Sequence, residues 1–247
     1  YDFIADNWFL SSCGNVSQMF YGCFKNNSTQ GTVSMTGWTI GSSSAPSNCQ
    51  SMFSSATYFD GDISNWTVYS STANNMFNSC SSFTGNGLSS SVFEISGPAA
   101  SMFDGCSELG SSTPLDLSNW DVTGVTTSQK MFSLCGKLAN VSFTANNWIL
   151  SSCGAAYQMF YECFHSADSA GAVTMTNWTI GSSVNNCLVY NMFLNNSVFN
   201  GNLSNWTVYS NNGQRMFENC QNFTGNGLNS HNWYITSGTS GTATTPF

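Results

Sequence analysis

Charge is what this sequence has least of. Only 6% of its 247 residues are Asp, Glu, Lys or Arg, against roughly 25% in an ordinary soluble domain. Four Lys plus Arg stand against twelve Asp plus Glu, a formal net charge of −8. So few cations exclude a protein that grips nucleic acid by neutralising phosphates, and they exclude an anionic membrane surface as a partner too. No apolar run approaches the roughly 18–20 residues of a membrane span, so no membrane insertion is expected. The two histidines, His165 and His231, and the absence of any Cys-x-x-Cys pair leave no zinc-ligand spacing. No phosphate-cradling glycine motif and no nucleophile constellation occurs, so no cofactor is expected. An initiator Met and a basic-then-apolar leader are also missing, which suggests a mature fragment.

What is present is apolar and repetitive. Hydrophobic residues reach 41% and aromatics 15%, enough for a large core whose solubility must come from Ser, Thr, Asn and Gly. "SNWTVYS" at 64–70 returns at 204–210, and "FTGNGL" at 83–88 returns at 223–228, both at an offset of 140. "NWFLSSCGNVSQMFYGCF" (7–24) faces "NWILSSCGAAYQMFYECF" (147–164) at the same offset. Residues 1–140 thus form one module, and 141–247 a second, partial one expected to continue it.

A finer period lies inside the long one. Met-Phe pairs begin at 19, 52, 76, 102, 131, 159, 192 and 216, spaced 24 to 33 residues apart, five to a module. In "MFNSCSSF" (76–83), Met76, Cys80 and Phe83 fall at i, i+4 and i+7, the stripe of a short helix or helical turn. In "NWTV", Trp66 and Val68 alternate with Asn65 and Thr67, the period of a strand. The same alternation pairs Trp38 with Ile40, Phe93 with Ile95, Trp120 with Val122, Trp178 with Ile180, Trp206 with Val208 and Trp233 with Ile235. One such unit cannot bury its own apolar stripe, but stacked units cover one another. The expected fold is a right-handed repeat solenoid of about 8–9 coils. It carries one parallel sheet on one side and short helical turns on the other, with the Trp, Met and Phe columns as core.

The pattern "MFxxCxxF…G…L…NWxV" resembles the BspA-like leucine-rich-repeat surface proteins, most closely the Met-Phe-x-x-Cys branch of mycoplasma lipoproteins and protist and algal surface proteins. The resemblance covers nearly the whole chain and implies an extracellular or cell-surface solenoid, used in adhesion or surface architecture and without enzymatic activity. The chain departs from the pattern in its two 33-residue gaps and in lacking Cys four residues after Met52 and Met192.

Ten cysteines fit two readings. They form a buried column of thiols, or equivalent Cys on adjacent coils approach within disulfide range. The second reading pairs Cys13 with Cys49, Cys153 with Cys187, Cys80 with Cys106, and Cys135 with Cys163. Cys23 and Cys220 are then left over at opposite ends, where they could join subunits. Asn-x-Ser/Thr occurs at Asn15, Asn26, Asn27, Asn65, Asn140, Asn177, Asn195, Asn202, Asn205 and Asn222. In a glycosylating host, N-glycans there would supply the solubility that charge does not.

The carboxylates are the remaining chemistry. Asp60 and Asp62 in "FDGD" are spaced for calcium or acid–base work, but the second copy reads "FNGN", with Asn200 and Asn202, so a solvated turn is favoured. Glu94 and Asp121 are expected on adjacent coils, in the outward position that Thr67 holds, which makes them a weak candidate for a cation or a glycosidase pair. The outward row Thr39, Thr67, Glu94, Asp121, Ile149, Thr179, Thr207 and Tyr234 is too interrupted for an ice-binding array. The function expected is a structural surface glycoprotein that assembles with itself head to tail into a fibre or coat. An adhesin gripping glycans or surface proteins competes with it, and a polysaccharide-active enzyme is a remote third. "SGTSGTATTPF" (237–247) reads as a weak cap or a linker.

Overall fold

The computed structural model describes residues 2–25, 31–138, 140–165, 171–228 and 232–236. It is a parallel-strand β-solenoid of about eight turns, and its sheets are built between successive coils. On the face that follows each Trp, Phe9–Leu10, Thr39–Ile40, Thr67–Thr72 and Val92–Ile95 pair in parallel, and the second copy repeats the row from Ile149–Leu150 to Asn232–Ile235. The face that precedes each Trp carries two further parallel sheets, Phe3–Ile4 with Val33–Ser34, and Leu115–Asp116 with Ser142–Thr144 and Ala172–Thr174. The single sheet expected is therefore several parallel sheets on separate faces. One apolar core runs from Ala5 to Leu228.

The Met-Phe half departs from the expected helix. Among the described residues there is no α-helix, and a 3-10 turn spans Leu88–Ser90. In a helix every N–H would bond back along its own turn. Here they alternate. Met76, Asn78 and Cys80 donate to carbonyls three residues back, while Phe77 and Ser79 donate to Met102 and Asp104 on the next coil. The alternation is set by left-handed residues just before Met and three after it, such as Asn75 (φ 55) and Ser79 (φ 60). A left-handed residue cannot continue a right-handed helix. Two stacked four-residue turns thus imitate the i, i+4 spacing of a helix, and they leave half their backbone groups free to glue coils together.

Most of these left-handed positions carry Asn, Ser or Gly. Leu134 (φ 59) is an exception, with its side chain 44% exposed. A left-handed non-glycine costs about 1–2 kcal/mol, and little burial is lost by truncating an exposed side chain. Leu134→Gly is therefore expected to raise stability by about 1 kcal/mol, seen as a higher urea midpoint. An unchanged or lower midpoint would contradict the strain.

Inside the coils the side chains form columns. The Met-Phe phenylalanines, from Phe20 through Phe53, Phe77, Phe103, Phe132, Phe160 and Phe193 to Phe217, stack nearly parallel at centroid distances of 5.0–5.4 Å. Beside them Trp8, Trp38 and Trp66 stack at 4.8 and 5.0 Å, and Trp148, Trp178 and Trp206 at 5.0 Å each. Each indole N–H is spent on the coil before: Trp38 donates to Ala5 O, Trp66 to Met35 O, Trp148 to Leu117 O (2.9 Å), Trp178 to Ala145 O and Trp206 to Met175 O.

The Trp column breaks at the fourth coil. Phe93 pairs with Val68 and Trp233 with Val208, so each is shifted in register from the Trp that the sequence alternation aligns it with, and the Trp233 ring stacks on Trp206 at a longer 6.3 Å. The position beside Trp66 belongs to Ser91, whose buried hydroxyl accepts from Trp66 N and donates to Ile63 O. Trp120, one coil further on, has no partner for its indole N–H. The Leu88 carbonyl there is taken by Ser91 N, inside the 3-10 turn.

Candidate functional site

Residues 7–24 repeat 147–164 at 13 of 18 positions, yet the two copies differ in what they show to solvent. Trp148 is 1% exposed and Trp8 41%; Met159 and Cys163 are buried, while Met19 and Cys23 are exposed. The preceding coil makes the difference: Phe132 stacks under Phe160, and Trp148 donates to Leu117 O. Nothing described underlies the first coil. It presents Ile4, Trp8, Phe9 (77% exposed), Met19 and Tyr21 together with an unpaired strand edge. Such an edge is a template for another strand.

A shallow open groove of about 580 Å3 lies along the face before Trp, lined by Thr32, Ser34, Tyr58, Asp60, Asp62 and Asn86 among others. Its two acids lock turns. Asp60 Oδ1 accepts from Thr84 N (2.9 Å) and Oγ1 (2.8 Å), and Asp62 Oδ1 accepts from Ser64 N (2.9 Å) and Oγ (2.5 Å). In the second copy Asn200 binds Thr224, and Asn202 binds Ser204, through the same atoms. One oxygen serves the fold in either residue. At these two positions the second carboxylate oxygen is what distinguishes the groove of the first copy.

Glu94 and Asp121 form a parallel bridge across adjacent coils. The register sets Glu94 beside Tyr69, not Thr67, because the strand slips at this coil. Tyr234 likewise lies beside Tyr209, so the outward row read from sequence is broken at both places. Asp121 Oδ1 accepts from Thr123 N and Oγ1 at 2.9 and 2.7 Å. Among the described residues no three His, Cys, Asp or Glu gather as a metal site.

The Asn-x-Ser/Thr asparagines fall in several settings. Asn65, Asn177 and Asn205 are exposed but sit in left-handed turns (φ 60–62) one residue before the buried Trp, outside the strand where the sequence placed them. Asn177 donates to Asn147 and Asn205 to Asn177, at 2.8 and 2.9 Å, an amide ladder along the solenoid. Asn15 and Asn222 are exposed. Asn140 donates to Ser111 O, Asn195 to Glu162, and Asn202 locks its own turn, all three half-buried. Asn26, Asn27 and the 237–247 tail lie outside the described residues.

All ten cysteines are thiols. Cys80, Cys106, Cys135, Cys163 and Cys220 each donate to the carbonyl of the Met-Phe phenylalanine one coil back, Phe53, Phe77, Phe103, Phe132 and Phe193. Burial pushes the Cys80 and Cys220 thiols up to about 12. After Met192 the sequence has Asn196 in place of Cys. It is fully buried and donates to Phe160 O, the same bond, while its Oδ1 accepts from Cys163 N and Phe164 N. Sequence reasoning passed over Asn196 and the left-handed positions, although the recurrence of Ser, Asn or Gly three residues after Met was there to be read.

A family model described as "Mycoplasma protein of unknown function, DUF285" matches residues 3–113, 90–178 and 164–243, overlapping stretches that together span nearly the whole chain. No curated protein and no solved structure matches it.

Proposed function

Because the chain belongs to the DUF285 family, we propose that it is an extracellular surface protein of the BspA-like leucine-rich-repeat kind, a structural solenoid that joins end to end. The observation that carries this reading is the seam between the modules: Phe132 stacks under Phe160 and Trp148 donates to Leu117 O, so one module receives the next as any coil receives its neighbour, and a coil of a second copy would offer the same stacked rings and parallel strand. N-glycans on the exposed Asn65, Asn177 and Asn205 would keep the side walls soluble in a glycosylating host. The reading assigns no catalytic role.

Negative-stain imaging and size-exclusion chromatography test it. The chain is expected to form filaments or a concentration-dependent ladder of rods, and Phe9→Asp, changing a side chain that contributes little to the core, is expected to leave dispersed short rods. Monodisperse rods of the unsubstituted chain at all concentrations would contradict end-to-end assembly.

The adhesin reading is favoured by the groove at Tyr58, Asp60 and Asp62, whose aromatic and acidic lining the second module replaces with Val198, Asn200 and Asn202. It would be preferred if the rods stay single and a glycan or surface-protein ligand is lost in Asp60→Asn.

A further inference from the structure

The thiols divide into two chemical classes. The five beneath the phenylalanine column are each committed to a carbonyl of the preceding coil. Cys153 and Cys187 are different. They lie on adjacent coils that pair in parallel, Ala155 opposite Leu188, and the Cys187 thiol donates to the Cys153 sulfur at 3.6 Å. Ser128 Oγ stands 3.5 Å from the same sulfur, on the other side of the stack. The spacing of adjacent strands, about 4.8 Å, lies within the range of roughly 4.4–6.8 Å over which disulfide Cα atoms stand.

We propose that Cys153 and Cys187 are a redox-active dithiol that closes to a disulfide between two coils, while the cysteines of the phenylalanine column remain thiols. Cys153 is the attacking sulfur. The hydrogen bond from Cys187 holds its thiol below the usual cysteine range, which favours the thiolate that attacks disulfides. The same bond pushes Cys187 up, which suits it to follow as the resolving thiol. With a small-molecule disulfide as oxidant, the Cys153 thiolate attacks one sulfur and expels the other half as a thiolate. Cys187 then gives up its proton and attacks the Cys153 sulfur, expelling the second half. The pair loses two electrons and two protons, and the oxidant leaves as two thiols. The first module does not repeat the arrangement: Cys49 follows the bridge of Asn15 with Asn48 whereas Cys187 precedes that of Ala155 with Leu188, and the Cys13 and Cys49 thiols donate to Asn15 O and Ser47 O.

Holding the folded chain in a buffer of reduced and oxidised glutathione, long enough for local opening to expose Cys153 and Cys187, tests the proposal. The soluble fraction is alkylated, digested and read by mass spectrometry. The expected result is a cross-linked peptide joining Cys153 to Cys187, with Cys80, Cys106, Cys135, Cys163 and Cys220 alkylated. Alkylated Cys153 and Cys187, or cross-links among the phenylalanine-column cysteines, would overturn it. In Cys187→Ser the resolving thiol is gone, and Cys153 is expected to retain a glutathione adduct. Cys153 recovered only as the alkylated thiol would show that it is not the attacking sulfur. Neither outcome depends on end-to-end assembly, so its failure and that of the fibre reading are separable.

Discussion

Trp178→Ala is expected to destabilise the solenoid by about 5 kcal/mol. Trp178 is fully buried and stacks on Trp148 and Trp206, 5.0 Å away on either side. Removing the ring opens a cavity, worth about 3–5 kcal/mol for a Trp-to-Ala change. It also deprives the Ala145 carbonyl of its indole donor. Trp178→Phe keeps a ring in the column and loses chiefly that bond, so a smaller loss of about 1–3 kcal/mol is expected. Each coil touches only its neighbours, so the damage should be local, and urea unfolding of the alanine variant should split into two transitions. An alanine variant with the midpoint of the unsubstituted chain would show that the indole column is not core.

The second large effect is a backbone one. Gly87 lies in the "TGNG" turn with φ 90, and a Cβ there would stand 2.2 Å from Ser64 N and 2.6 Å from Ile63 C on the neighbouring coil. No side chain can move aside, because the obstacle is main chain. Gly87→Ala must therefore push two coils apart or twist the turn, at a cost of about 3–5 kcal/mol. Gly227, at the same place in the second module, meets Ser204 N at 2.4 Å and should behave alike. Gly14→Ala is the control: nothing lies within 4 Å of its Cβ, and stability should hold. Equal urea midpoints for Gly87→Ala and Gly14→Ala would contradict the close approach of the coils.

How much of this was written in the sequence depends on which force sets each feature. The Met-Phe period and the Trp-Val alternation reflect burial, which repeats with the coil, so stacking, parallel pairing and the identity of the core residues were all legible. The Met-Phe turns were misread because a left-handed residue every four positions reproduces helical spacing: Met76, Cys80 and Phe83 are buried at i, i+4 and i+7 without forming a helix. Apolar periodicity reports the buried face, not the sign of φ. The slip at the fourth coil escaped notice for a similar reason. "SVFEI" alternates as "NWTV" does, and only the buried Ser91, bonded to Trp66 N and Ile63 O, fixes which residue meets Trp66. The acids at 60 and 62 were read as turn residues once the second copy wrote Asn, and in both copies one side-chain oxygen at each position holds a turn. The burial of Trp148 could not be read from its own letters, because it depends on the coil beneath it.

The central claim is that successive coils lie directly upon one another. Nuclear Overhauser contacts between phenylalanine rings test it most directly. The account predicts a single chain of contacts running Phe20, Phe53, Phe77, Phe103, Phe132, Phe160, Phe193, Phe217, each ring touching the next coil's ring at about 5 Å. Contacts confined within each module, with none between Phe132 and Phe160, would mean two separately folded halves and would contradict it.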